Sequence, residues 1–408
     1  MDNLEIMEDV FISNIKINKV RHLENLEIPL SGEERKHLIL TGKNGSGKTS
    51  VLNELANQFQ KIDVKHYANQ FKLKLGLLKD RETIIKGENI EERLIKLKQY
   101  GKDQMKGYEI ECEMNNYEDF IHSYEDGNFI INLFDSKRHS LFRQPEGAKK
   151  IEFKDKYKIS EKANIDFIQY LVNQRFSYLE ATVSSDKQTV RNIDRWLDIF
   201  TKRLKELFDD PDLALIFDSE NYNWFIQSEG KKFDFNSLSD GFSSVLNIIS
   251  ELMMRMNKQR FRAYDMQGIV LIDEIETHLH IDLQKKILPF LTSFFPKIQF
   301  IVTTHSPFVL TSINDAVVYD LEHQEAIEDL SGYSVEAIIE GYFGSDKYSE
   351  ALKAKVDEYE QLAKKDELSY SEEERYQSLK KYFDDLSDVF ADELKLKIQQ
   401  IKLLNPVK

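Results

Sequence analysis

Three features of this 408-residue sequence predict an α/β fold. The expected architecture is a mixed β-sheet with flanking helices, an inserted helical and β region, and a C-terminal helical tail. Residues 269–272 (IVLI) and 298–302 (IQFIV) are short, nearly continuous apolar runs, separated by a helix-length segment. Strands of this kind are buried on both faces, as in parallel sheets covered by helices. A third apolar run, His37-Leu38-Ile39-Leu40, leads into a glycine-rich turn and then a helix through Leu52 and Leu55. Beyond residue 333 the chain turns charged, with apolar residues at helical spacing.

The remaining elements follow in order. Phe11, Ile15 and Ile17, then Leu23, Leu26 and Ile28, alternate with polar residues and predict two antiparallel strands. Residues 61–106 read as helical. Ile110, Cys112 and Met114 alternate as in a strand, and Gly127-Asn128 has hairpin-turn chemistry before Phe129-Ile130-Ile131. Residues 160–208 return to a helical pattern. Strand-like pieces follow at 213–217 and 224–227, with Gly230 turning the chain. A helix starts near Gly241, carrying Phe242, Val245, Leu246, Ile249, Leu252, Met253 and Met256 on one face. Residues 316–319 are expected to close the sheet. In the tail, Leu386, Phe390, Leu394, Ile398 and Ile401 recur at helical spacing, and Ser371 with Glu374 forms a capping-box pattern. The expected division is 1–60 and 211–332 as two parts of one core, 61–210 as an insertion and 333–408 as the tail.

Composition narrows the function classes. Hydrophobic residues make up 41% and charged residues 31%, the balance of a globular chain. One cysteine, Cys112, excludes an internal disulfide framework and a cysteine-based zinc site. The acidic start and the absence of any apolar run near ~18 residues point to a cytoplasmic chain without membrane insertion. A net charge of −15 argues against general nucleic-acid binding. Locally, 61–106 holds 12 Lys/Arg against 7 Asp/Glu, and 137–158 holds 8 against 3. A DNA contact through 61–158 and plain solvated faces are the two readings of that pattern.

The chemistry concentrates in four motifs. Gly42-Lys43-Asn44-Gly45-Ser46-Gly47-Lys48-Thr49 is a P-loop, followed by Ser50. Its glycines let backbone N–H groups approach phosphate oxygens, and the helix beyond points its positive end at the anion. Lys48 would reach the β and γ phosphates of ATP, and Thr49 would ligate Mg²⁺. The run 269–272 ends in Asp273-Glu274, a Walker-B pattern: Asp273 holds Mg²⁺ through water and Glu274 acts as base toward the attacking water. The run 298–302 ends in Thr303-Thr304-His305-Ser306, where His305 is the candidate γ-phosphate contact. Leu238-Ser239-Asp240-Gly241-Phe242 sits at a helix start, where Ser239 and Gly241 offer a second anion site.

In this order the motifs resemble the ABC-type ATPases, with Leu238–Phe242 similar to their signature motif save for Asp240 and Phe242. The resemblance implies a head-to-tail homodimer or higher even oligomer, in which each signature binds the γ-phosphate held by the other subunit. The 225 positions from Lys48 to Asp273 exceed transporter spacing. Glu276-Thr277-His278-Leu279-His280 resembles the D-loop region of RecF, SMC and overcoming-lysogenization-defect ATPases. His278 and His280 have metal-ligand spacing but no second pair. Gln169 and Gln174 are candidates for the family's glutamine loop, and Arg21-His22 for its adenine contact. The phrases KHLILTGKNG and FNSLSDG look most like PtuA-type ATPases of Septu and retron-associated antiphage systems. That resemblance implies an ATPase subunit regulating a separate nuclease, such as an HNH protein. The alternative is a RecF-like DNA repair or recombination ATPase.

Overall fold

The computed structural model describes residues 9–61, 109–138, 141–256 and 266–327, and between 330 and 401 residues 330, 332, 334–335, 337–338, 350–365, 367–384 and 400–401. The helical expectation for 61–106 and the apolar series from Leu386 to Ile398 therefore lie almost wholly outside the described residues. The chain divides into two units, 1–333 and 334–408.

The first unit opens with β1 (Ile12–Val20) and β2 (Leu23–Pro29), antiparallel as expected, followed by β3 (His37–Thr41) and α1 (Lys48–Lys61). Next come β4 (Ile110–Met114), α2 (Tyr117–Glu125) and β5 (Phe129–Phe134). β4 joins β1 at the edge of a small antiparallel sheet, whereas β5 pairs in parallel with β9 (Gln267–Ile272) of the main sheet. No β4–β5 hairpin forms, so the hairpin expectation is corrected. The physical reason is that Asn116 caps α2 by accepting from the Asp119 N–H, and Gly127 (φ +71°) terminates it. A Cβ at Gly127 would lie 2.1 Å from the Asp155 carbonyl, so the glycine is required for close approach as well as for its dihedral.

α3 (Phe167–Val183) and α4 (Lys187–Phe208) pack together, and β6 (Ala214–Asp218), β7 (Asn223–Ser228) and β8 (Lys231–Asp234) form a separate antiparallel sheet. The chain then returns through α5 (Asp240–Met256), β9, α6 (Ile281–Phe294), β10 (Ile298–Thr303), the short α7 (Pro307–Leu310), β11 (Ala316–Asp320) and β12 (Glu325–Ile327). The main sheet runs β12-β11-β3-β10-β9-β5, parallel except for β12. β11 thus lies inside the edge, and β12 closes the sheet in its place. A tight turn at 321–324 folds β12 back on β11.

β3, β9 and β10 are buried at every position, which matches their apolar composition. Alternation still sorts the faces. Leu38, Leu40, Ile269, Leu271 and Ile301 join one core cluster with Leu52 and Leu55 of α1 and Ile15 and Ile17 of β1. The one polar interruption in 298–302, Gln299, is fully buried and fully used. Its amide donates to the carbonyls of Ile12 (3.0 Å) and Lys36 (2.8 Å) and accepts from the Ile12 N–H (2.7 Å). It ties the small sheet to the large one without leaving an unpaired polar group.

In the second unit α8 (Glu350–Ala363) packs on α9 (Tyr370–Asp384), with Tyr359 stacked on Tyr376 at 5.1 Å. The capping box is Ser369 with Glu372, not Ser371 with Glu374. Glu372 accepts from the Ser369 N–H (2.9 Å) and hydroxyl (2.8 Å), which starts the helix two residues earlier. Among the described residues no helix is long and apolar enough to cross a membrane.

Candidate nucleotide site

Strand order brings the motifs together. β10 lies between β3 and β9, all three parallel, so the segments after their C-terminal ends emerge on one edge of the sheet. Crevices at such strand ends, where chain connections diverge, are where open α/β sheets bind ligands. From β3 emerges the P-loop. Gly42, Gly45 and Gly47 have φ of +125°, +86° and +101°, values that side-chain-bearing residues rarely adopt. A Cβ on Gly42 would lie 2.9 Å from Asp320 Oδ1, and one on Gly47 2.9 Å from Leu23 Cδ1. The loop is therefore pressed between the end of β11 and the β1–β2 turn, while Gly45 and the exposed Lys43 and Asn44 face open space.

Lys48 curls over its own loop, donating to the carbonyls of Gly42 (2.7 Å) and Lys43 (3.0 Å), close to Ser46 Oγ (3.5 Å). Burial pushes its ammonium pKa down, against the pull of Glu276, Glu274, Asp273 and Asp320. Lys43 pairs with Glu322 at 2.7 Å. Thr49 and Ser50 occupy the first turn of α1, and the Thr49 hydroxyl lies 3.1 Å from both carboxylate oxygens of Asp273. Two sequence motifs 224 positions apart thus meet at one point.

Around Asp273 the Walker-B turn is built tightly. The Thr303 hydroxyl donates to Asp273 Oδ1 (2.7 Å) and accepts from the Glu274 N–H (2.7 Å). Glu274 itself has φ +44°, a left-handed conformation costing a non-glycine residue roughly 1–2 kcal/mol. Thr277 donates to its carboxylate at 3.1 Å. Glu276 reaches across to the third motif, accepting from the Thr304 hydroxyl (2.8 Å) and the His305 N–H (2.6 Å). Burial, then the Lys48 cation, lowers the His305 imidazole pKa from its ordinary 6.5, with Glu276, Glu274 and Asp273 opposing.

The fourth motif stands apart. Gly241 lies in the first turn of α5, where a Cβ would meet the His278 carbonyl at 3.1 Å and no P-loop atom within 4 Å. Ser239 accepts from the Ser243 N–H (2.8 Å), and Phe242 stacks on Phe208 at 3.5 Å between ring centres. Gly241 thus packs against the turn after Walker B rather than the phosphate loop, and Ser239 bonds within the start of its own helix.

The subsidiary candidates divide. His22 Cε1 lies 3.6 Å from a Cβ built on Gly47, which places the Arg21-His22 turn against the P-loop. Gln169 is buried in α3 and bound to Gly147, Asn173 and Glu146, where it holds the 146–149 loop. Within 137–158 four of the eight basic residues pair with an acid or a ring of the chain: Arg143 with Asp166, Lys149 with Glu146, Lys154 with Glu161, and Lys156 over the Tyr124 ring.

Sequence reasoning passed over Thr303, Glu276 and Arg138. Thr303 and Glu276 sit within quoted motifs but had no role assigned. Arg138 was counted only as one charge of a basic stretch. In the structure its guanidinium is buried at 3% exposure and bonds the carbonyls of Asp273, Glu274 and Ile275.

Residues 67–311 match the sequence family described as "AAA domain, putative AbiEii toxin, Type IV TA system". Over 351 residues the chain is 31% identical to the Septu protein PtuA of Bacillus mycoides strain KBAB4, covering 82% of this chain and 44% of that protein. Over 203 residues it is 30% identical to "Retron Vc95 probable ATPase" of Vibrio cholerae serotype O1 biovar El Tor, covering 49% and 37% respectively. The chain thus spans less than half the length of either relative. The solved Smc head bound to the C-winged helix domain of ScpA aligns with a TM-score of 0.38 at 14% identity, over 76% of this chain and 94% of that one.

Proposed function

This chain belongs to the AAA-domain family matched by residues 67–311, and on that premise we propose that it is the ATP-hydrolysing subunit of an antiphage defence system. One observation carries the reading: the Thr49–Asp273–Thr303–Glu274 chain of hydrogen bonds at the mouth of the P-loop.

The residues present fit a magnesium nucleotide. Thr49 Oγ1 and the two Asp273 oxygens, 3.1 Å apart, are hard oxygen donors of the type Mg²⁺ takes alongside phosphate and water. When bound, the ion neutralises charge on the terminal phosphates. The backbone N–H groups of 42–48 and the N-terminus of α1 hold the phosphates, and Lys48 exchanges its loop carbonyls for phosphate oxygens. Glu274, aimed by its left-handed backbone and by Thr277, takes the proton of the attacking water. His305 donates a hydrogen bond to the γ-phosphate oxygen.

Ser239 and Gly241 complete the site of a second copy, giving a homodimer or a higher even oligomer. Support comes from the exposure of Ser239 and Asp240 at the start of α5 and from the lack of any P-loop atom within 4 Å of a Cβ on Gly241. The names of the relatives, Septu PtuA and a retron ATPase, support the defence role, and the separate nuclease partner, such as an HNH protein, rests on the sequence resemblance alone. In that scheme ATP occupancy shifts the population between closed and open dimers and so the partner's access to its substrate.

Radiolabelled ATP binding and phosphate release test the core of the reading. Lys48→Ala is expected to lose binding. Glu274→Gln is expected to bind ATP and turn it over at least roughly 100-fold more slowly. Wild-type turnover by Glu274→Gln would remove Glu274 as the base. With Mg²⁺ or Mn²⁺ and ATP, the protein alone is expected to leave phage and plasmid DNA uncut. Cleavage that persists in Glu274→Gln would remove the division of labour.

A further inference from the structure

Arg138 lies four residues beyond the end of β5, in a segment with no catalytic motif, yet it is among the most deeply buried charges of the first unit. An arginine carries five N–H donors in a planar fork. Here five hydrogen bonds match them. Nη1 donates to the carbonyls of Asp135 (3.2 Å) and Asp273 (2.6 Å), and Nη2 to those of Glu274 (3.0 Å) and Ile275 (3.2 Å). Nε donates to Ser244 Oγ (3.2 Å).

Three of the five acceptors are consecutive carbonyls of the Walker-B turn. Those carbonyls converge because Glu274 is left-handed, and a left-handed glutamate persists only where its surroundings hold it. Thr303 grips the turn from its N–H side and Arg138 from its carbonyl side. Burial lowers the guanidinium pKa, while Glu276, Asp135, Asp273 and Glu274 raise it, so its charge is balanced by acids around it.

The Ser244 bond gives the residue a second reach. Ser244 sits one turn into α5, the helix whose first turn carries Gly241, and Gly241 packs on the His278 carbonyl of the same turn region. Arg138 therefore joins the segment that aims Glu274 to the helix that begins at the signature.

We propose that Arg138 is a positioning residue for ATP hydrolysis, holding Glu274 in its catalytic conformation and tying it to the signature helix of the same subunit. In a dimer of the kind proposed above, Glu274 serves the nucleotide on its own P-loop while the signature serves the partner's. The Arg138 fork then links the two composite sites through each subunit. Lysine cannot substitute, because one ammonium with three donors cannot span four carbonyls and a hydroxyl.

The inference rests on the ATPase reading, and the test separates the two. In the full chain, Arg138→Lys is expected to bind ATP within about 3-fold of wild type, with kcat reduced roughly 100-fold, the range of a misplaced general base. Ser244→Ala, which removes only one neutral acceptor, is expected to fold normally, keep ATP affinity and lose about 3- to 10-fold in kcat. Guanidinium added to Arg138→Gly is expected to restore part of the turnover but not to change Glu274→Gln. Hydrogen exchange of the 274–279 amides supplies a readout independent of activity, and faster exchange there is expected in Arg138→Lys without ATP. Should the wild type neither bind nor hydrolyse ATP, the ATPase reading fails, while the exchange result still decides whether Arg138 holds the turn. The proposal is overturned by Arg138→Lys with near-wild-type kcat. It is equally overturned by parallel losses of affinity and turnover, or by an Arg138→Lys that fails to fold together with Ser244→Ala at wild-type kcat.

Discussion

Glu276 accepts the backbone N–H of His305 at 2.6 Å and the Thr304 hydroxyl at 2.8 Å, joining the turn after β9 to the turn after β10. Its carboxylate is also the foremost acid opposing the depressed pKa values of Lys48 and His305. The position of the candidate γ-phosphate contact is thus set by a residue that need not touch nucleotide. Glu276→Ala is expected to retain ATP binding and lose roughly 10-fold or more in kcat, the scale of charge-assisted hydrogen bonds. Steady-state kinetics beside equilibrium nucleotide binding check this, and an unchanged kcat would assign Glu276 to packing alone.

The composite sites proposed above make a prediction for mixtures. Lys48→Ala disables one P-loop and Gly241→Asp one signature, so each variant alone lacks any complete site. A heterodimer of the two keeps one intact pair. Mixing is expected to restore part of the ATPase activity, in proportion to heterodimer measured by tagged co-purification. No restoration despite confirmed heterodimer formation would argue for sites completed within one chain.

His37 predicts a pH dependence of stability. Its Nδ1 accepts the Phe300 N–H at 3.0 Å in a buried setting, and burial brings its pKa from 6.5 to about 4. Between those values the unfolded chain binds more protons, so stability falls as pH drops below 6.5 and the loss is complete below 4. Between pH 7 and 5 the contribution is about 2 kcal/mol. Urea titrations of wild type and His37→Phe, compared at the two pH values, should show the difference shrinking in the variant. Parallel losses would place the titrating group elsewhere.

Gly127→Ala should be strongly destabilising. The added methyl meets the Asp155 carbonyl at 2.1 Å, and the left-handed dihedral adds roughly 1 kcal/mol. A lowered melting temperature is expected, whereas Gly230→Ala, with nothing within 4 Å of its Cβ, should cost only the dihedral term. Equal melting temperatures for the two variants would refute the close approach.

What the sequence determined by itself was local. The phosphate loop, the Walker-B acids and the buried strands are contiguous runs whose chemistry needs no distant partner to be recognised. Even there, Gly127 was legible as a turn but not as a helix end, because both require the same positive φ. Tertiary structure alone decided that β5 lies beside β9, that Thr49 meets Asp273 across β10, and that Arg138 closes on three carbonyls more than 130 positions away. A buried guanidinium and a surface one read identically in a sequence. Only packing, which removes water and leaves each N–H in need of an acceptor, distinguishes a structural fork from one more charge on a solvated face.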